Sequence, residues 1–105
     1  MCNKEQFRVF FTVARNAYVL YEDGSLYNNH HKPMALSNIG WIVKNKFSEE
    51  ELGYETPVSF IKRNLYEAAR KSKNNQEFAK HLSEQLLFNF TAKELFYHQR
   101  KYKRR

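Results

Sequence analysis

Lys4-Glu5-Gln6-Phe7-Arg8-Val9-Phe10-Phe11-Thr12-Val13-Ala14-Arg15-Asn16-Ala17-Tyr18-Val19-Leu20-Tyr21-Glu22 lies near the start of the chain, and its reading decides the fold class. Val9 to Val13 are all good strand formers. Against this, Phe7, Phe10, Phe11, Ala14, Ala17, Tyr18 and Tyr21 recur at spacings of three and four. Glu5, Arg8, Thr12, Arg15, Asn16 and Glu22 gather on the opposite side of a helical wheel, and strict alternation fails. The periodicity therefore predicts a helix. Asn3 is placed to cap its start, with Gln6 reaching back, and Gly24 supplies a left-handed stop.

Moving outward, Asp-Gly, Asn-Asn and Lys-Pro pairs between Asp23 and Pro33 read as a polar connection. A second helix is expected from near Met34, with Leu36, Ile39, Val43 and Phe47 inward and Trp41 projecting among Ser37, Asn38, Lys44 and Asn45. Ser48 and Glu51 have capping-box spacing for one short turn ending at Gly53. Thr56-Pro57 opens a third helix, in which Val58, Ile61, Leu65, Ala68 and Ala69 face inward until Asn74-Asn75 breaks it. A fourth follows through Phe78, Ala79, Leu82, Leu86 and Phe90, and Thr91 with Glu94 caps a last one. The fold expected is mainly α: a single compact domain of about five helices over residues 1–97 with a helix-turn-helix element, then a basic tail at 98–105.

The 105 residues are 42% hydrophobic and include nine Phe, seven Tyr and one Trp, enough apolar material for one core and too little chain for several domains. A single cysteine, Cys2, cannot form an internal disulfide, and no leader-like segment is evident, so a cytoplasmic protein is expected. No apolar run approaches the roughly 20 residues needed to span a bilayer. The formal charge is +7 and unevenly placed: six basic and seven acidic side chains up to residue 60, twelve and four after it. Such asymmetry points to an anionic partner, most often nucleic acid, although it also serves solubility.

Leu52-Gly53-Tyr54-Glu55-Thr56-Pro57-Val58-Ser59-Phe60-Ile61-Lys62-Arg63 resembles the helix-turn-helix of AraC-type transcription regulators. There a Leu-Gly-Tyr/Phe turn precedes a small cap and a recognition helix carrying Phe and a basic pair. The resemblance covers 12 of 105 residues and departs upstream, where Ser48 to Gly53 leaves a short supporting helix and no second copy follows. It implies that the start of the helix after Thr56 enters a major groove. Any helical protein with a capped helix after a Gly-Tyr turn would carry similar residues.

Arg63, Tyr66, Arg70 and Lys73 lie three and four apart and line one edge of that helix, a pattern suited either to phosphates and base edges or to a solvated face. Arg100, Lys101, Lys103, Arg104 and Arg105 interleave with tyrosines in a tail suited to phosphate neutralisation and stacking. Trp41 and Phe60 fall on the polar sides of their helices and are candidate anchors for a protein partner.

His30 and His31 are adjacent, and neighbouring residues do not both aim at one ion; His81, His98 and Cys2 show no zinc spacing, so no metal or cofactor is expected. The order Tyr21 to Ser25, Ile39 to Val43 and Glu67 to Ala69 is superficially similar to ribonuclease H. That chemistry needs several converging carboxylates, whereas Asp23 is the only aspartate and the predicted helix removes the strand that would present it. The expectation is a non-enzymatic basic helical module binding nucleic acid or a nucleoprotein, with no membrane and no small-molecule ligand. The alternative is a small phage or mobile-element inhibitor or adaptor, anti-CRISPR-like, that binds a host nucleic-acid enzyme.

Overall fold

The stretch from Phe7 to Tyr21 is a β-hairpin rather than a helix. In the computed structural model, which describes residues 6–92, β1 (Arg8–Val13) pairs antiparallel with β2 (Asn16–Tyr21) in the register Val9 to Leu20, Phe11 to Tyr18 and Val13 to Asn16. The two-residue loop places Ala14 and Arg15 at φ of 52° and 69°, both left-handed, as a twisted hairpin turn requires. Each costs about 1–2 kcal/mol in an L-residue. A helix would leave Val9, Val19 and Leu20 off its apolar stripe, whereas the hairpin buries all three at roughly 1.5–3 kcal/mol each. Burial therefore outweighs the strained turn.

The expected polar connection contains β3 (Leu26–Asn28), and Met34, the expected helix start, closes β4 (Pro33–Met34). The sheet is a four-stranded antiparallel meander in the order β1-β2-β3-β4. The mainly α bundle of about five helices is thus corrected to a fold of mixed α and β structure, a sheet followed by helices.

One face of the sheet presents Val9, Phe11, Leu20 and Leu26 to the helices, and these side chains join the common core. A 3-10 turn (Leu36–Ile39) and α1 (Trp41–Lys44) replace the second predicted helix, with Leu36, Ile39, Ile42 and Val43 buried. Gly40 between them sits so close to the start of the longest helix that an added Cβ would lie 3.2 Å from Pro57 Cβ. α2 (Glu49–Leu52) is a single turn closed by the Ser48–Glu51 capping box, and Gly53 leaves it at φ 67°. α3 (Pro57–Arg70) starts where Thr56 Oγ1 accepts the Ser59 N–H at 3.1 Å, with Pro57 at its first position. α4 (Asn75–Leu86) starts on the Asn74 side chain.

The second face of the sheet is also apolar: Phe10, Val19 and Tyr27 lie in register across it, with Phe10 and Val19 buried and Tyr21 packed edge-on to Tyr27 at 5.8 Å. Burial pushes the Tyr21 hydroxyl up, and Arg8 opposes that shift. After α4 the chain returns to β1, where Phe10 and Thr91 exchange backbone hydrogen bonds of 2.8 and 2.9 Å. Thr91 is therefore a bridge residue beside the sheet, Phe90 lies beyond the end of α4, and the remainder of the predicted last helix lies outside the described residues, as do Asn3 and Cys2. Among the described residues no helix is long and apolar enough to cross a membrane.

Candidate nucleic-acid interface on α3

Phe60, Ile61, Asn64, Leu65 and Ala68 form the buried side of α3. Their positions alone would allow some rotation about the helix axis, but Asn64 fixes it. Its side-chain amide donates to the Phe60 carbonyl at 2.8 Å, and the Gln85 amide of α4 donates to Asn64 Oδ1 at 2.8 Å and to the Asn64 carbonyl at 2.9 Å. A buried amide bound on both sides is costly to displace, so the outward row of α3 is rigidly defined. That row is Lys62, Arg63, Tyr66 and Arg70, with Lys73 just past the helix end.

The four cations are not equivalent. Arg63 is held by carboxylates: its Nε lies 3.0 Å from Glu55 Oε2, its second terminal nitrogen donates to Glu55 Oε1 at 3.0 Å, and its first donates to Glu67 Oε2 at 3.3 Å. The guanidinium also lies 5.2 Å from the Phe60 ring centroid. This bidentate geometry raises the Arg63 pKa above its ordinary value and holds the Glu55 carboxyl below its own, in both cases chiefly through the shared hydrogen bonds. Arg63 is thus a neutralised cation.

Tyr66 is 62% exposed, and the Arg70 guanidinium stacks over its ring at 5.1 Å from the centroid. Among the described residues no carboxylate lies within ion-pair distance of Lys62, Arg70, Lys71 or Lys73. The Lys73 backbone N–H donates to the Glu77 carboxylate at 2.8 Å, and the Lys73 side chain is exposed. The structure therefore keeps Tyr66 and Arg70 together on an open cationic ridge, with Lys73 in the connection just past the helix end, and removes Arg63 from it. Lys62, one turn before Tyr66, is a further exposed cation that sequence reasoning missed although its i,i+4 spacing to Tyr66 signals it; its stem runs past the Gly24 turn, where an added Cβ would meet Lys62 Cε at 3.5 Å. Arg100, Lys101, Lys103, Arg104 and Arg105 lie outside the described residues.

The start of α3 has the opposite charge. Glu49, Glu50 and Glu51 are exposed on α2, and an open groove of about 890 Å³ beside them is lined by Lys44, Phe47, Glu50, Tyr54 and Glu55 among others. Tyr54 is fully exposed at its edge.

The two expected protein anchors separate. Phe60 is buried, packed at 5.1 Å against Phe47, so it serves the core and cannot anchor a partner. Trp41 is 39% exposed and meets Phe88 edge-on at 6.1 Å, next to Leu87, which is 55% exposed in a left-handed conformation at φ 55°. Lys46 caps this patch, its ammonium over the Phe88 ring at 4.7 Å and bonded to the Leu87 carbonyl. Nothing in the helical periodicity signals Leu87, because a leucine in place of glycine at a helix stop carries no turn signature.

His30 and His31 lie in the turn between β3 and β4, and among the described residues no group of three or more His, Cys, Asp or Glu could hold a metal ion. The strand that the helical reading removed is present as β2, and Asp23 follows it; its carboxyl is held low by hydrogen bonds from Gln6 and Ser25. Asp23 is still the sole aspartate of the chain. Compared with known proteins, the chain matches no family model, no curated protein and no solved structure.

Proposed function

We propose that the chain is a non-enzymatic module that holds nucleic acid, free or in a nucleoprotein, on the outer ridge of α3. The observation that carries this reading is the Tyr66–Arg70 stack flanked by Lys62 and Lys73, with no carboxylate to satisfy these cations among the described residues. An exposed aromatic beside open cations offers phosphate neutralisation and base contact on one surface. The basic residues Arg100, Lys101, Lys103, Arg104 and Arg105 would add electrostatic affinity without choosing a sequence.

The test is a salt titration of full-chain binding to labelled oligonucleotides by fluorescence anisotropy. Three ridge cations on a single strand give a logarithmic slope of about −2, roughly a twentyfold loss between about 50 and 200 mM salt, with the tail steepening it further. Absence of binding at the lower salt would overturn the proposal.

One observation favours a second reading. Trp41, Leu87 and Phe88 form an exposed apolar patch held around a left-handed leucine, and such non-glycine outliers persist where the surroundings enforce them. The patch suits a protein anchor, as an inhibitor or adaptor would use. On that reading Trp41→Ala weakens capture of a protein partner by about 2 kcal/mol or more and leaves oligonucleotide binding unchanged.

A further inference from the structure

The ridge on α3 also carries information about which form of nucleic acid it suits. Resting on the proposed function, we infer that the ridge takes unpaired nucleotides, with a base stacked on Tyr66 and the neighbouring phosphates on Arg70, Lys62 and Lys73, rather than the groove of a duplex.

Three observations carry this. Tyr66 sits in the middle of α3, its ring largely exposed and accompanied by the Arg70 guanidinium. A tyrosine ring offers a π-face that any unpaired base can use, whereas bases in a duplex are already stacked on one another. The guanidinium beside it is a planar fork suited to a phosphate next to that base.

Secondly, a helix that reads a major groove leads with its N-terminal residues. In α3 that end is the acidic one: Glu55 lies beside it, Glu49, Glu50 and Glu51 occupy the preceding turn, and Arg63 is already bound by Glu55 and Glu67. Inserting this end between two phosphate backbones would bring carboxylates against anions. The open cations lie instead from Lys62 to Lys73, along the side and the far end of the helix.

Thirdly, Lys62 to Arg70 spans eight helical residues, about 12 Å at about 1.5 Å per residue. At the duplex rise of about 3.4 Å per nucleotide a strand covers that length in roughly four nucleotides, and a more extended unpaired strand in fewer, so one base and its flanking phosphates fit the ridge. Unpaired DNA and unpaired RNA share this chemistry, and both enter the test.

The experiment measures the full chain by fluorescence anisotropy at about 50 mM salt. The probes are labelled single-stranded DNA and RNA oligonucleotides of about 12 nucleotides, within the site size of known single-strand binders, and the duplex of the same DNA. The variants are Tyr66→Ala and Tyr66→Phe. The expected result is that single strands bind about tenfold more tightly than the duplex, Tyr66→Ala removes about that factor on single strands alone, and Tyr66→Phe, which keeps the ring, retains it. Equal or tighter duplex binding, or a Tyr66→Ala variant indistinguishable from wild type on single strands, overturns the inference. If Arg70→Ala/Lys73→Ala still weakens binding in that case, the proposed function stands and the ligand is a duplex, as the helix-turn-helix resemblance would require. If none of the probes binds, both fall.

Discussion

The first and second halves of α3 present the same kind of side chain at the same helical spacing, yet they offer a polyanion different things. Arg63 leaves the first half already bound to Glu55 and Glu67. Arg70, two turns further on, has only the Tyr66 ring beside it and no carboxylate in reach among the described residues. The difference arises from what flanks the helix: the turn from Gly53 to Thr56 carries Glu55 back onto the Arg63 guanidinium, whereas at the far end the Glu77 carboxylate accepts the Lys73 backbone N–H and, among the described residues, pairs with no ridge cation. A basic stripe read from spacing is a set of candidates, and the local fold decides which members keep their charge available.

The strongest way to break this comparison is to remove the free half. Arg70→Ala/Lys73→Ala should weaken oligonucleotide binding about tenfold or more at low salt and make the salt slope shallower by about 1.4 to 1.8, one phosphate contact for each cation. Circular dichroism should remain as in wild type, since both side chains are exposed. A slope that stays the same would mean that these cations do not meet phosphates.

A smaller, opposite change should come from freeing the bound half. Glu55→Gln keeps the shape of the side chain but removes the charge that holds Arg63, so affinity should rise a few-fold and the slope steepen by up to about 0.9. No gain would show that Arg63 points away from the ligand even when released.

Acidification should do the same in a weaker form. The Glu55 carboxyl is held below its ordinary range by the Arg63 hydrogen bonds. A depressed carboxylate contributes stabilisation that is present above its unfolded pKa and is lost as pH falls through the folded one. Wild-type affinity should therefore approach that of Glu55→Gln only below the usual glutamate range. The ratio of the two variants' affinities across pH isolates this pair from the other carboxylates, and a ratio that stays flat would contradict the pairing.

Much of the helical half was legible in the sequence. Thr56-Pro57 marks the start of α3, and Ser48 and Glu51 form the capping box they spell out, whereas the part-exposure of Trp41 was left open by a wheel drawn on a longer helix than the one that forms. The hairpin was not legible, for two physical reasons. Its turn uses Ala14-Arg15, neither of which advertises left-handed backbone as Asn-Gly does. Both faces of β1 are also covered, so Val9, Phe10 and Phe11 are buried in succession and the alternation that marks a half-exposed strand disappears. What remained was an accidental three-and-four spacing.

In the site, the shared face of Tyr66 and Arg70 followed from helical geometry, whereas Lys73 lies past the end of α3, where that spacing no longer applies. The neutralisation of Arg63 by Glu55 did not, because the two residues are eight apart and meet across a cap rather than within a helix. Phe60 was misplaced for a related reason: its side of α3 is covered by Phe47 from the loop before α2, a contact no single-helix wheel contains.

The central claim is that Arg63 and Arg70, on the same outward side of α3, differ in available charge, and comparing the salt dependence of Arg63→Ala and Arg70→Ala against one labelled single strand tests it most directly. The account predicts that Arg63→Ala keeps the wild-type slope while Arg70→Ala is shallower by about 0.7. The reverse order, or equal losses in the two variants, would contradict it.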